Sequence, residues 1–195
     1  MIENDWIEYL ILGVGVLFLI SLYYNFKFLS TINKLNQNSG SLIKSAYFNE
    51  VTELPNRANI DLVISDQIDR EMRHNKSFLV TIVKIINYHK VKIRSKDLSD
   101  EYMLEASNRL LETVRDEDIV GHITEDGFII VFNEYLEDDN LNIILNRIRA
   151  AFTEKPHIDT KYNIEYKISL GTAKYPHDGS GGDLLIDRAT QKALK

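Results

Sequence analysis

Two short apolar runs, Ile119 to Ile123 and Phe128 to Phe132, are separated only by Thr124-Glu125-Asp126-Gly127. A four-residue spacer with glycine at its sharp end joins neighbouring antiparallel strands, so this stretch reads as a hairpin. The periodicity around it fills in the rest. Asn59 to Arg73 is an amphipathic helix with Ile60, Leu62, Val63, Ile64 and Ile68 on its apolar side. Ser77 to Ile86 is an apolar strand, and Ser99 to Val114 a helix opened by Ser99 or Asp100 as N-cap. Leu141 to Phe152 is helical, Tyr162 to Ala173 strand-like, and Asp183 to Leu194 helical again. Strands mixed with crossover helices predict an α+β sandwich: one central sheet under covering helices.

The chain has 195 residues, enough for one ordinary domain plus a short appendage. It has no cysteine, which excludes disulfides and thiolate metal sites. Its five histidines are scattered, and none has the i,i+4 spacing of a helical zinc pair. The net charge of −6, without a basic cluster along the chain, argues against nucleic-acid polymers as partners.

The appendage is residues 1–48. From Tyr9 to Phe26 there is no charge, and Leu, Ile, Val and Phe dominate. At about 1.5 Å per residue this run covers roughly 27 Å, close to the hydrocarbon thickness of a bilayer. Trp6 and Tyr9 at one end, with Tyr23 and Tyr24 at the other, suit the two interfacial belts. A cleaved signal peptide would have a basic leading region and a small-residue cleavage site, and neither is present. Residues 9–26 are therefore expected to form one transmembrane helix. Residues 1–8 carry Glu3, Asp5 and Glu8, while Lys27, Lys34 and Lys44 follow the run, which predicts a short extracytoplasmic tail and a cytoplasmic C-terminal domain. The expected location is the cell membrane, in single pass.

Residues 27–48 form a helical linker broken at Asn36-Gln37-Asn38-Ser39-Gly40. Such a stalk could pair with a copy of itself into a homodimer, or pack on its own domain.

Several motifs in residues 49–195 match one family. Thr52, Leu54, Pro55, Asn56 and Arg57 fit the opening turn Asp-x-Leu-Thr-Gly-Leu-Pro-Asn-Arg, although Asn49 and Glu53 replace its Asp and Gly. Ile168-Ser169-Leu170-Gly171-Thr172-Ala173, then Tyr175-Pro176-His177-Asp178-Gly179, fits its late strand and turn, and Leu184-Leu185 with Arg188-Ala189 its last helix. Arg115 and Asp118 stand as Arg-x-x-Asp, five residues ahead of a degenerate signature: Thr124, Glu125, Asp126, Gly127 and Phe128 in place of Gly-Gly-Asp/Glu-Glu-Phe. The chain thus resembles diguanylate cyclase (GGDEF) domains over roughly residues 47–195. The resemblance implies a five-stranded sheet flanked by helices, shared with nucleotidyl cyclases.

It also implies a lost reaction. The family joins two GTP molecules with help from divalent metal, and hard cations need carboxylate ligands. Aligned through Val80-Thr81-Ile82-Val83, the family's first metal-binding Asp falls on Lys84 and the second on Ile86. Its guanine-holding Asn and Asp fall near Lys92 and Ile93. The stretch to Asp100 is one residue shorter than in the family, yet no register restores an acid, because Val83 to Lys96 contains none. In the hairpin, Thr124 and Glu125 replace the glycines that admit a phosphate, and Gly127 replaces an acid. The domain is thus expected to be catalytically inactive, without a metal or cofactor. Lys84 either neutralises Asp126 at the old metal position, or both face solvent independently.

Arg115 and Asp118 lie where the family binds its product, cyclic di-GMP, as a regulatory ligand. Arg147 matches the second Arg of that site. An Arg fork can bond guanine O6 and N7 or phosphate oxygens, and a carboxylate can accept from the guanine N1–H and N2–H₂ edge. The plain alternative is an i,i+3 ion pair closing a helix. The resemblance points to a cyclic di-GMP receptor that acts by contact on a membrane client, such as an exopolysaccharide-synthesising glycosyltransferase. Its rivals are a nucleotide-independent scaffold and a weak cyclase.

Overall fold

The computed structural model describes residues 13, 15, 21, 23–28, 43–133, 138–154, 156 and 164–195. The chain divides into two compact units, Met1–Lys44 and Ser45–Lys195. Among the described residues no helix is long and apolar enough to cross a membrane, and most of the run 9–26 lies outside them. The described positions from 21 to 28 are helical, with Tyr23, Tyr24, Phe26 and Phe28 exposed.

The second unit follows the order α1 (Arg57–His74), β1 (Phe78–Ile85), α2 (Tyr88–Lys92), α3 (Lys96–Thr113), β2 (Ile119–Thr124), β3 (Gly127–Phe132), α4 (Asp138–Ala151), β4 (Ile168–Tyr175) and α5 (Gly182–Ala193). All strand pairs are antiparallel, in the order β2-β3-β1-β4. Strand β1 is central and buried almost throughout. That explains why its sequence is a continuous apolar run: both of its faces are covered.

Alternation along the strands sorts the core into two layers. Phe78, Val80, Ile82, Ile129 and Val131 pack with Ile60 and Ile64 of α1 and Leu185, Ile186 and Ala189 of α5. Leu79, Val83, Ile85, Phe128, Ile130 and Phe132 pack with Tyr102, Met103, Ala106 and Leu110 of α3 and Ile144 and Ile148 of α4. Thr81 is the polar exception, and its hydroxyl is satisfied 2.8 Å from that of Thr172 on β4. Helix α5 lies so close to β4 that a Cβ on Gly171 would run into the Ala189 carbonyl oxygen and the Ala193 amide nitrogen. Only glycine allows that approach.

The helix ends follow local chemistry. Asn56 caps α1 by accepting from the Asn59 N–H at 3.1 Å, and Asn75 closes it in the left-handed region at φ 50°. Arg109 of α3 donates to the carbonyls of Ala151 and Glu154 at 2.8 and 2.7 Å, tying α3 to the end of α4.

Five expectations need correction. Among the described residues the sheet has four strands, not five. Residues 164–167 of the expected strand from Tyr162 leave the ladder because Tyr166 is drawn to α3: its ring stacks on Tyr102 at 4.3 Å, and its hydroxyl donates to the Tyr102 carbonyl at 2.8 Å. Helix α3 starts at Lys96, one turn before the expected Ser99, with Ser95 at the N-cap. Ser99 is instead buried and donates to the Lys96 carbonyl. Leu62, placed on the apolar side of α1, is exposed. The single-turn helix α2 was not expected at all, since five residues are too few to display a period.

Candidate functional site

The hairpin tip is built by its own residues. Thr124 pairs with Gly127 after a register shift that begins at His122. The Thr124 hydroxyl donates to Asp126 Oδ1 at 3.1 Å. A Cβ on Gly127 would sit 2.6 Å from that hydroxyl oxygen, so glycine keeps the turn closed. Strand β1 supports the tip from the side. The Ile85 N–H donates to the Asp126 carbonyl at 2.8 Å, and Lys84 is in register with Gly127.

That register brings Lys84 to the hairpin acid. Its Nζ lies 3.0 Å from Asp126 Oδ2, with the two side chains 30% and 31% exposed. The ion pair weighed from the sequence is therefore present. A second pair accompanies it: Lys92 Nζ of α2 lies 2.5 Å from Glu125 Oε2. Glu125 raises the Lys92 pKa by accepting this bond. Both hairpin acids are thus matched to lysines, Lys84 of β1 and Lys92 of the short helix that follows it.

A cleft of about 670 Å³ opens beside the second pair, lined among others by Asn56, Tyr88, Lys92, Lys96, His122 and Glu125. His122 forms its buried wall at 5% exposure. Its Nδ1 lies 3.1 Å from the Thr52 hydroxyl, its ring is 4.6 Å from that of Phe128, and its Nε2 is buried without a hydrogen-bond partner. Burial lowers its pKa and keeps it neutral at pH 7.

The other candidate residues gather at the C-terminal end of α3. Arg147 reaches across from α4, and its guanidinium donates to the Thr113 carbonyl, the last of α3. Arg115 follows two residues later, exposed, with Nη1 3.7 Å from Glu117 Oε1. Asp118 turns inward to the backbone: Oδ2 accepts from the Arg115 N–H and Oδ1 from the Asn133 N–H, each at 3.2 Å. The carboxylate thereby fixes the α3–β2 turn and the end of β3. Each oxygen keeps a second lone-pair direction for another donor. Beside this corner runs a groove of about 520 Å³ between α3 and α4, lined in part by Arg109, Thr113 and Arg147.

Residues 46–195 match the family profile described as diguanylate cyclase, GGDEF domain. The chain belongs to the GGDEF domain family. Its GGDEF domain is 23% identical over 139 residues to the bifunctional diguanylate cyclase/cyclic di-GMP phosphodiesterase MucR of Pseudomonas aeruginosa, covering 71% of this chain and 20% of MucR. It is 22% identical over 159 residues to the cyclic di-GMP phosphodiesterase NbdA of the same organism, covering 81% of this chain and 20% of NbdA. The chain therefore spans about a fifth of the length of these curated relatives. Among solved structures, the GGDEF domain of YfiN from P. aeruginosa superposes with a TM-score of 0.70 at 17% identity, covering 76% of this chain and 87% of that one. The coiled coil and GGDEF domain of DgcB from Caulobacter crescentus, in complex with c-di-GMP, gives 0.71 at 12%, covering 85% and 87%. At such identities the likeness establishes the fold.

The GGDEF opening turn has a structural role at matched and departing positions alike. Asn49 stands in for the usual Asp, its Oδ1 accepting from the N–H groups of Val51 and Thr52 at 2.9 and 3.0 Å. Glu53, at the Gly position, takes φ 56°, the left-handed conformation that glycine adopts freely. Thr52 holds His122, and the Pro55 carbonyl accepts from the His122 N–H at 2.8 Å. Arg57 bonds Asp61 and Asp183 at 2.8 and 2.6 Å, joining α1 to α5.

Sequence reasoning missed the Lys92–Glu125 pair and His122. The acid-free run from Val83 to Lys96 was the available signal for the first. For His122, a single histidine on an apolar strand gave none.

Proposed function

We propose that this chain is a membrane-anchored, catalytically silent GGDEF domain that binds cyclic di-GMP as a regulatory ligand and acts by contact on a membrane partner. The observation that carries it is the pairing of both hairpin acids with lysines. Magnesium needs several oxygen ligands, whereas here an ammonium sits on Asp126 and another on Glu125. Among the described residues no group of three or more His, Asp or Glu side chains is placed to hold a metal. The donor set does not suit a divalent cation.

The location of Arg115, Asp118 and Arg147 near the C-terminal end of α3 supports the ligand. The guanidinium groups can grip guanine or phosphate, and Asp118 can accept from a guanine edge with its remaining lone pairs. The uncharged run 9–26, with exposed Tyr23 and Tyr24 near its end and Lys27, Lys34 and Lys44 after it, supports a single span with the domain on the cytoplasmic side. The client in this reading is a membrane enzyme of exopolysaccharide synthesis or export, reached by family analogy.

One observation favours a second reading, a nucleotide-independent scaffold. Asp118 already has backbone work, and Arg147 already holds Thr113. Calorimetric titration of the purified full chain with cyclic di-GMP separates the two. Saturable binding that vanishes in Arg115→Glu, with an unchanged melting temperature, supports the receptor. Absence of binding by the native chain leaves the scaffold.

A further inference from the structure

The buried stripe of α1 changes character part-way along. Ile60, Ile64, Gln67 and Glu71 recur at the spacing of one helical face, and all four are buried. The first two belong to the core. The last two are polar and only 3% and 7% exposed, at positions where aliphatic side chains would simply extend that core. A polar group is costly to bury unless it has partners. Gln67 has two: its Nε2 donates to Glu71 Oε1 at 3.0 Å and to the Asn133 carbonyl at 3.3 Å. Beside it, Arg70 Nη1 of the same helix donates to Asn133 Oδ1 at 3.2 Å. Helix α1 thus grips the residue after β3 by both its carbonyl and its side chain. The N–H of that residue is the one that Asp118 Oδ1 accepts at 3.2 Å.

We infer that Gln67 and Arg70 are positioning residues for the ligand site: acting through Asn133, they fix the direction in which Asp118 presents its remaining lone pairs. The inference rests on the cyclic di-GMP reading of Arg115, Asp118 and Arg147. Two N–H groups hold the Asp118 side chain, and they differ in kind. The bond from Arg115 closes within the α3–β2 turn and travels with it. The bond from Asn133 comes from 15 residues away and is the one that refers the carboxylate to the sheet. Asn133 is itself exposed at the strand end, so without α1 its place would be loosely set. Gln67 is too deeply buried to reach a ligand, and its effect on binding can pass only through Asn133. A carboxylate whose rotamer is locked beforehand needs no ordering when the ligand arrives.

Calorimetry with cyclic di-GMP on the full chain, paired with melting temperatures, tests this in a cycle of Arg70→Met, Asn133→Ala and the double variant. Both residues are exposed, so neither replacement opens the core, and Asn133→Ala keeps the backbone N–H that Asp118 accepts. Each single variant should weaken binding roughly three- to tenfold, the effect of one hydrogen bond, at an unchanged melting temperature. The double variant should bind no worse than the weaker single, because the two side chains act through one contact. Arg70→Lys keeps a donor and should recover most of the affinity. Gln67→Met removes the buried donors at similar volume and should bind at least as weakly as Arg70→Met; if it does not fold, the Arg70–Asn133 cycle decides alone. Native affinity in both single variants overturns the inference. So do losses that multiply in the double variant, which would mark Arg70 as a charge acting directly on the ligand. A loss of affinity that only tracks a falling melting temperature also overturns it, leaving a structural brace. If the native chain does not bind cyclic di-GMP, the receptor reading fails and this inference with it; native binding with unaffected variants removes the positioning role alone.

Discussion

Lys84 Nζ and Asp126 Oδ2 stand 3.0 Å apart because β1 and β3 pair Lys84 with Gly127, the residue after the acid. Removing the cation should restore an available carboxylate without restoring a site. In Lys84→Ala the unfolding free energy should fall by less than about 1 kcal/mol, since the pair is about one-third exposed. Magnesium with GTP should leave the melting temperature of the native chain unchanged. A clear magnesium-dependent rise, followed by differential scanning fluorimetry, would refute the silent-site reading.

Arg147 offers a milder test of the ligand corner than reversing Arg115. Its loss in Arg147→Ala removes one guanidinium and with it the side-chain donor to the carbonyl of the buried Thr113. Cyclic di-GMP affinity should drop at least about tenfold, while stability falls by about 1 kcal/mol. Calorimetry and urea unfolding on the same preparation check both numbers.

His122 makes stability depend on pH in a definite direction. Its folded pKa is depressed by burial below the ordinary 6.5, so below that value the unfolded chain takes up a proton that the native chain refuses. The stabilising contribution is full above pH 6.5 and is lost as pH falls toward the depressed folded value. His122→Phe preserves the ring against Phe128 and removes the titration. The drop in urea midpoint between pH 7 and pH 5 should be shallower in the variant than in the native chain.

Glu53 occupies the left-handed region at a position where a side chain costs energy. Glu53→Gly should therefore raise stability by up to about 1 kcal/mol, the relief of strain exceeding the added freedom of the unfolded chain. An unchanged or lowered urea midpoint would contradict this.

Gly171→Ala tests the α5–β4 contact. Its Cβ meets backbone atoms of α5, which cannot rotate away, so a loss of about 1–3 kcal/mol is expected. Thermal and urea unfolding should agree on the loss.

The hairpin, the central strand and the amphipathic helices were legible because each displays its period within a single segment. The two-layer core follows directly from β1 alternation between Val80 and Val83. The opening turn was legible as a motif, and the coordinates supply its reasons: Thr52 and Pro55 grip His122, and Arg57 grips Asp183. What escaped was decided by partners remote in sequence. Tyr166 abandons the sheet for Tyr102, Asp118 turns to the Asn133 backbone, and Lys92 finds Glu125 across the cleft.

Local pattern fixed which segments of this protein become strands and helices, because periodicity and capping are properties of neighbouring residues. The tertiary structure alone decided where each charged side chain spends its charge. Electrostatic and hydrogen-bond partners are chosen by distance in space, and the fold brings together Lys84 of β1 and Asp126 of the β2–β3 turn, with two helices between them in the chain.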